Sequence, residues 1–397
     1  MTNPDDSLPL SGIRVLDFSQ VMLGPCCTQV LGDYGADVIK VERPGVGDLS
    51  RSCIHDPAGL ENPVYQSLNR NKRSIAVDTR SERGKELIYE LVKTADVVVN
   101  NFRPGVMDRM GFGYEKLAET NPGIIWAFGS GFGSSGPYEH KGGQDVLAQA
   151  YSGLMKRKAS PNHPTAIYPT ALNDFAAGMH LVQGILLALI ERGRTGLGQA
   201  VEVSLFNSAL AMQMQEAAVQ SMRSYDLNWA TLPLNGVFAT CDSELVLIGA
   251  FKENPLRDIC TALEIDDLSA DPRYANLEAQ IKARDFLQAT MREVFATNTT
   301  AYWLKRLEEQ DLLCGPVQSL AEALDDPQTA HNDILIEFES SQHEKVRTVG
   351  SPITMSRSRT RLRRRPPTLS QDRDEVLRDL GLADPEIEQL VEQKVVR

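Results

Sequence analysis

Six cysteines stand in the chain and no two form a Cys-x-x-Cys pair. Cys26 and Cys27 are neighbours, a poor geometry for bridging each other. The thiols are therefore expected to be reduced, as in a cytosolic protein. The histidines (His55, His140, His163, His180, His331 and His343) fall at neither HxxxH nor HxH spacing, so no metal site is expected. No GxSxG elbow is present; Gly129-Ser130-Gly131 lacks its framing, which sets a serine hydrolase aside. Positive charge is also short. The net charge is -12, whereas a general nucleic-acid binder needs a basic face. The most apolar run, Leu181 to Ile190, is too short to cross a bilayer. The polar, acidic Met1 to Ser7 stretch carries no signal-peptide pattern, so a cytoplasmic location and no membrane partner are expected.

What is present is a long chain with a core. The 397 residues are 42% hydrophobic, enough for more than one domain. Gly12 to Ser19 reads as a buried strand, Gly24-Pro25 as a break, Cys26 to Tyr34 as a helix, and Ala36 to Glu42 as a second strand. The alternation continues with strands at Arg73 to Asp78, Asp96 to Asn100 and Gly123 to Phe128. Helices are expected over Glu82 to Lys93, Val106 to Met110 and Tyr114 to Thr120. Strands joined by helices through short loops predict an α/β fold, an open parallel sheet of the Rossmann-like kind. A further strand is expected at Gln199 to Leu205 and a long helix at Phe206 to Met222. The large domain is read as 1–205 and 335–397, with a helical linker over 206–225. A smaller α+β domain over 226–334 opens on a hairpin at Val237 to Ala250.

A literal GxGxxG occurs at Gly131, Gly133 and Gly136, but it follows a late strand and runs into Pro137. A dinucleotide fingerprint belongs after the first strand, and the turn there, Gln20 to Gly24, lacks it. An NAD-dependent oxidoreductase is the reading of another class that this sheet allows, and it ranks low. The arginine-rich run Arg357 to Arg365 ends in two prolines and carries no interleaved aromatics, so it reads as a solvated connector. Cationic loops are more telling. Arg43 and the Asn101–Arg103 loop lie at carboxyl ends of strands, where open sheets bind ligands, and Arg109 follows on the next helix. Several such cations on one edge fit a ligand bearing several phosphates. The Asn69–Arg73 run lies at an amino end and reads as structural.

Asp174 precedes the apolar, helix-patterned run Phe175 to Leu189. An Asn173-Asp174 pair at that place is ordinarily a helix cap. The alternative is a carboxylate held at a mouth and available as a nucleophile. His180, six residues on, falls on another face and reads as a packed core histidine.

Motifs spread along the chain decide between these. Leu10 to Ser19 (LSGIRVLDFS), Gly24-Pro25, Leu31 to Pro44 (LGDYGADVIKVERP), Asn71 to Ser74 (NKRS) and Asp96 to Gly105 (DVVVNNFRPG) come first. Gly131-Phe132-Gly133, Gly136-Pro137-Tyr138, Asn173-Asp174, Arg194 to Gln199 (RTGLGQ), Cys314 to Val317 (CGPV) and Asp374 to Gly381 (DEVLRDLG) follow in the same order. In this combination the chain resembles the class III CoA-transferases, the group that includes formyl-CoA:oxalate transferase, carnitine CoA-transferase and α-methylacyl-CoA racemase. The resemblance implies an interlocked homodimer of ring-shaped chains and an acyl-CoA:carboxylate CoA-transferase. Asp174 would be its catalytic carboxylate, passing through aspartyl anhydride and thioester intermediates. It implies no tightly bound cofactor, with coenzyme A and a small carboxylic acid as substrate partners. By match to the family, CoA would lie near Val21, Met22, Arg43, Val77 to Arg80, Asn101, Phe102, Arg103, Arg109 and Lys141. Gln20, Gly131, Gly133, Gln144 and Asp145 would border the substrate.

Two departures narrow the reading. Gln144 stands where the racemases carry a histidine, and an amide exchanges no protons near neutral pH, so a 2-methylacyl-CoA racemase is the weaker reading within the family. Between Leu232 and Phe251 there is no run of consecutive glycines like that of formyl-CoA transferase, so its specificity for oxalate and formyl-CoA does not carry over. Gln20 also replaces a histidine of that enzyme.

Overall fold

Six short strands make the central sheet, and all but the edge strand Ala200–Ser204 are buried nearly throughout because both faces are covered there. Parallel strands buried on two sides read as continuous Val/Ile/Leu runs. The computed structural model describes residues 8–397 apart from 56, 58, 161 and 162; Met1 to Ser7 lie outside the described residues. In chain order come β1 (Arg14–Asp17), α1 (Leu23–Asp33), β2 (Asp37–Glu42), α2 (Pro63–Leu68), β3 (Lys72–Ala76), α3 (Glu82–Thr94) and β4 (Val97–Asn100). Then follow α4 (Val106–Met110), α5 (Tyr114–Thr120), β5 (Ile125–Ser130), α6 (Asp145–Tyr151), α7 (Leu172–Thr195), β6 (Ala200–Ser204) and α8 (Leu205–Met212). The strands are all parallel, in the order β3-β2-β1-β4-β5-β6.

The pleat sends alternate residues to opposite faces. Val15, Val38, Val97 and Val99 pack under α1 and α7. Leu16, Ile39, Ile75 and Val98 pack under α3 and the C-terminal helices α16 (Arg373–Asp379) and α17 (Asp384–Glu392). Each fully buried Leu or Ile is worth roughly 1.5–3 kcal/mol, so the two layers hold the sheet rigid beneath its loops.

Two compact units emerge. The first takes the chain up to Leu154, Ile167–Gln213 and Asp333–Arg397. The second, Met155–Ala166 and Met214–Asn332, contains α9 (Met214–Arg223), β7 (Asn235–Ala239), β8 (Glu244–Ile248), α10 (Pro255–Leu263), α11 (Leu277–Lys282), α12 (Arg284–Phe295), α13 (Thr300–Glu309), β9 (Leu313–Pro316), α14 (Leu320–Asp325) and α15 (Pro327–His331). Its β7-β8-β9 sheet is antiparallel and packs around Phe238, Leu247, Phe295 and Trp303. The β10 (Leu335–Glu339) and β11 (Lys345–Val349) hairpin belongs to the first unit.

Four local expectations need correction. The helix α1 begins at Leu23, so Gly24-Pro25 does not break it. A proline in the first turn lacks an N–H that would have no helical partner anyway. The stretch 206–222 is two helices, α8 and α9, interrupted at Gln213, whose amide donates to the Ser152 and Ala209 carbonyls. The arginine-rich run is not simply solvated. Asn71 Oδ1 accepts the backbone N–H of Arg363 (2.7 Å) and Arg364 (3.0 Å), and Arg364 donates to Glu375. The apolar run around Leu181 to Ile190 sits inside α7, whose 24 residues are by length and composition apolar enough to cross a membrane. Here α7 lies against β5, β6, α1 and α8, with Leu181 and Ile185 fully buried.

Candidate active site

The switch point of this sheet order lies between β1 and β4, from which the strand order runs outward both ways. Two loops meet over it. Asn101, just past β4, accepts the Gln20 N–H through Oδ1 and donates through Nδ2 to the Gln20 carbonyl, both at 2.8 Å. Side chains hold the rest of the turn after β1. Asp17 accepts the Ser19 N–H at 2.9 Å, Lys40 Nζ donates to the Ser19 carbonyl at 2.9 Å, and Asp48 accepts the Val21 N–H at 3.0 Å. Val21 thereby sits at φ 65°, a left-handed conformation that is strained for a β-branched residue.

The anchors form a buried charge cluster that the sequence reading missed. Lys72 Nζ lies 3.1 Å from Asp17, and Lys40 Nζ lies 2.7 Å from Asp48, with all four side chains buried. Burial alone would raise the Asp17 pKa, but the Lys72 and Lys40 ammonium groups outweigh it and hold the carboxyl below its usual range. Burial pushes Lys72 down to about 8 despite Asp17 beside it. A signal for three of the four existed in the sequence: Asp17, Lys40 and Lys72 each lie within an apolar strand or at its end.

Beside the stitched loops, on the β4–β5 side, a cavity of about 140 Å³ opens. Asp174, Asn101, Phe102, Arg103, Gly131 and Lys141 line it. It is smaller than the ~300–1,000 Å³ that encloses a drug-sized ligand, so it takes one small group. Gly131 and Gly143 bring its wall together backbone to backbone: a Cβ on Gly131 would fall 2.3 Å from the Gly143 Cα. Gly133, at φ 109°, donates its N–H to Ser130 Oγ at 2.9 Å. Lys141 lies over the Tyr138 and Tyr151 rings at 5.4 and 5.7 Å, within a cluster that includes Phe132.

Asp174 is the third residue of α7 and half-buried. Burial, and then the charge of Asp145, push its carboxyl up to about 7. Neither Asn173 nor Asp174 caps the helix. Ala171 holds the cap position without a side-chain bond, and the first N–H groups are taken by Asp145. His180 is half-buried and pairs with Ser208 Oγ at 3.0 Å.

The other expected contacts are spread along the same edge. Arg43, Arg103 and Arg109 are exposed and form no ion pair among the described residues, whereas Arg70 and Arg73 at the amino end are tied to Asp33, Asp37 and Asp379. Met22 is half-buried at the start of α1. The Val77 side chain is in the core and its backbone bridges to Val396. Arg80 is exposed but tied to Asp78 at 2.9 Å. Gln144 is exposed at the start of α6. Among the described residues no three His, Cys, Asp or Glu side chains gather as a metal site would require.

The sequence model of CoA-transferase family III matches residues 10–373. The chain belongs to this family. It is 33% identical to formyl-CoA:oxalate CoA-transferase of Rhodopseudomonas palustris over 96% of both chains. It is 34% identical to succinyl-CoA:glutarate CoA-transferase of Mus musculus over 95% of this chain and 87% of that one. A crystal structure of a CaiB/BaiF family protein from Brucella suis superposes with a TM-score of 0.84 at 30% identity, over 94% of this chain and all of that one. Family III membership makes the chain an enzyme and a CoA-transferase, and it leaves the NAD reading without support.

Proposed function

We propose that the chain moves CoA from an acyl-CoA donor to a small carboxylic acid, with Asp174 as the attacking carboxylate. One observation carries the reading: Asp174 opens into a small cavity whose wall also bears Arg103, Lys141 and the glycine-loop backbone. The Asp174 oxygen attacks the thioester carbonyl, the C–S bond breaks, and CoA leaves as thiolate. The thiolate then attacks the aspartyl carbonyl of the mixed anhydride, releasing the donor acid and leaving an aspartyl-CoA thioester. The acceptor carboxylate displaces CoA to give a second anhydride. The thiolate returns to the acceptor acyl carbon and frees Asp174. Fixing the carboxylate against the thioester supplies an effective molarity of about 10⁵ M or more. An N–H donor on the developing oxyanion adds on the order of 3 kcal/mol.

CoA itself would lie outside the cavity, its phosphates met by Arg43, Arg103 and Arg109, exposed arginines of this edge with no ion pair among the described residues. Val21 and Met22 would contribute through the strained turn. In this reading CoA is a substrate and no cofactor stays bound. The protein works as an interlocked homodimer of ring-shaped chains, which sedimentation at twice the chain mass would support and a stable monomer would exclude. The acceptor class follows the relatives: oxalate and glutarate name the acceptors of two of them, so small dicarboxylates are the first acids to assay. Asp174→Asn should abolish transfer between acyl-CoA and acid, and hydroxylamine should trap an Asp174 adduct in the wild type only. Unchanged turnover in the variant sinks the proposal.

A further inference from the structure

The start of α7 is capped from outside. Asp145 Oδ2 accepts the backbone N–H of Asn173 at 2.6 Å and of Asp174 at 3.0 Å. The Asn173 amide donates back to the Asp145 carbonyl at 3.0 Å. Gln149, one turn further along α6, donates to Asp145 Oδ1 at 2.6 Å. The same Gln149 side chain accepts the Tyr168 N–H at 3.0 Å and donates to the Tyr168 carbonyl at 3.1 Å. Asp145 and Gln149 are 5% and 0% exposed, so this brace excludes water. An asparagine would serve as a cap nearly as well as an aspartate. What only the carboxylate supplies is acceptors on both oxygens and a full negative charge in a buried place.

We propose that Asp145 is the positioning residue for Asp174: it fixes the first turn of α7 from α6 and sets a second negative charge beside the reacting carboxylate. This rests on the reading of Asp174 as nucleophile. Two near carboxylates resist ionising together, so one of them becomes more basic. Asp145 has both oxygens in hydrogen bonds, to Gln149 and to the N-terminus of α7. Asp174, itself in the first turn of α7, has no such bonds to its carboxylate among the described residues, and its carboxyl is the more basic one. Other groups near Asp174 do not cancel this. Cys26 of α1 is held neutral by burial, its thiol pushed up to about 11. Glu202 of β6 is engaged with Ser134, and His180 with Ser208. Arg103, which is exposed, and Lys141, which is half-buried against two tyrosine rings, line the same cavity.

The test titrates the Asp174 carboxyl directly in the full-length protein, by carbon NMR with labelled aspartate, using Asp174→Asn to assign the resonance. Asp145→Asn keeps an acceptor toward the two N–H groups and gives up the charge. Asp174 should then titrate at lower pH than in the wild type, and the acid limb of kcat/KM should move down with it. Asp145→Ala also removes the cap; kcat should fall on the order of 10²-fold while KM for acyl-CoA changes little. A resonance that titrates unchanged in Asp145→Asn, or full kcat in Asp145→Ala, overturns the proposal. If Asp174→Asn stays active while the resonance still shifts, the nucleophile reading fails and the positioning of Asp174 by Asp145 stands.

Discussion

Asp174→Asn should stabilise the protein, and the gain should grow with pH. Burial and the Asp145 charge raise the Asp174 carboxyl from 3.8 to about 7. Its folded pKa is therefore above its unfolded one, the reverse of a salt-bridged aspartate. Between those values the folded state binds more protons than the unfolded chain, so stability from this group falls as pH rises. The penalty starts near the unfolded pKa and is fully present above the folded one. At about 1.36 kcal/mol per pKa unit, the three-unit shift amounts to about 4 kcal/mol at pH 8 and about 1.5 kcal/mol at pH 5. Asparagine has nearly the same shape and no charge, so it escapes this penalty.

A domain of this size moves by about 2–4 °C in Tm per kcal/mol, so the variant should gain on the order of 10 °C at pH 8 and about 4 °C at pH 5. Calorimetry on wild type and Asp174→Asn at both pH values reads this directly, following the transition of the sheet unit. A pH-independent offset would reflect the amide's own burial, so the difference between the two pH values is the quantity that decides. A variant no more stable at pH 8, or a gain that does not grow from pH 5 to pH 8, would refute the argument that the site stores a disfavoured charge. The same substitution is expected to abolish transfer, a stability–activity trade placed on a single residue.

Lys40→Met should leave Asp48 buried without its cation and cost about 3–5 kcal/mol, read as a lower denaturation midpoint; because Lys40 also holds the Ser19 carbonyl, KM for acyl-CoA should rise. An unchanged midpoint would remove the cluster's structural role. Gly143→Ala would place a Cβ 2.5 Å from the Gly131 Cα, backbone against backbone, and should lower kcat/KM at least tenfold, on the order of 10²-fold for a shift near 1 Å. Gly193→Ala is the matching control: Gly193 is exposed near the end of α7 with nothing within 4 Å of an added Cβ, and the change should raise stability by about 1 kcal/mol with turnover unchanged.

The sheet was legible because all its strands but β6 are buried on both faces; runs such as VVVN and DVIKVE need no partner to be read, and each strand lies within two residues of its expected bounds. The carboxyl-edge cations were legible for the same reason, since strand ends locate them. What failed was non-local. The cap of α7 comes from Asp145, 28 residues before Asn173, and no local pattern announces it. Asn71 captures the arginine run from 292 residues away, so its solvated look in sequence misleads. The positive φ of Val21 is imposed by Asp48 and Asn101, reaching in from other loops, rather than by a glycine at the turn. Lys40 and Lys72 were not singled out because only the three-dimensional register sets them around Asp17.

The same register bears against a dinucleotide at the switch point. In the Rossmann arrangement, glycines after β1 let a pyrophosphate approach the helix N-terminus at the switch point. Here that approach is closed. The Gln20–Asn101 bonds join the two loops that would have to part, and the buried Lys40–Asp48 pair pins the turn from below. Opening it would break two hydrogen bonds and strand a buried charge, several kcal/mol before any ligand contact. Space instead appears one strand over, between the ends of β4 and β5, where Gly131 and Gly143 touch and α7 presents Asp174. Gly131 of the GxGxxG-like loop therefore serves backbone-to-backbone packing against Gly143, and the carboxylate beside it, Asp174, stands on the sheet's last crossover helix, braced by α6, rather than on the first.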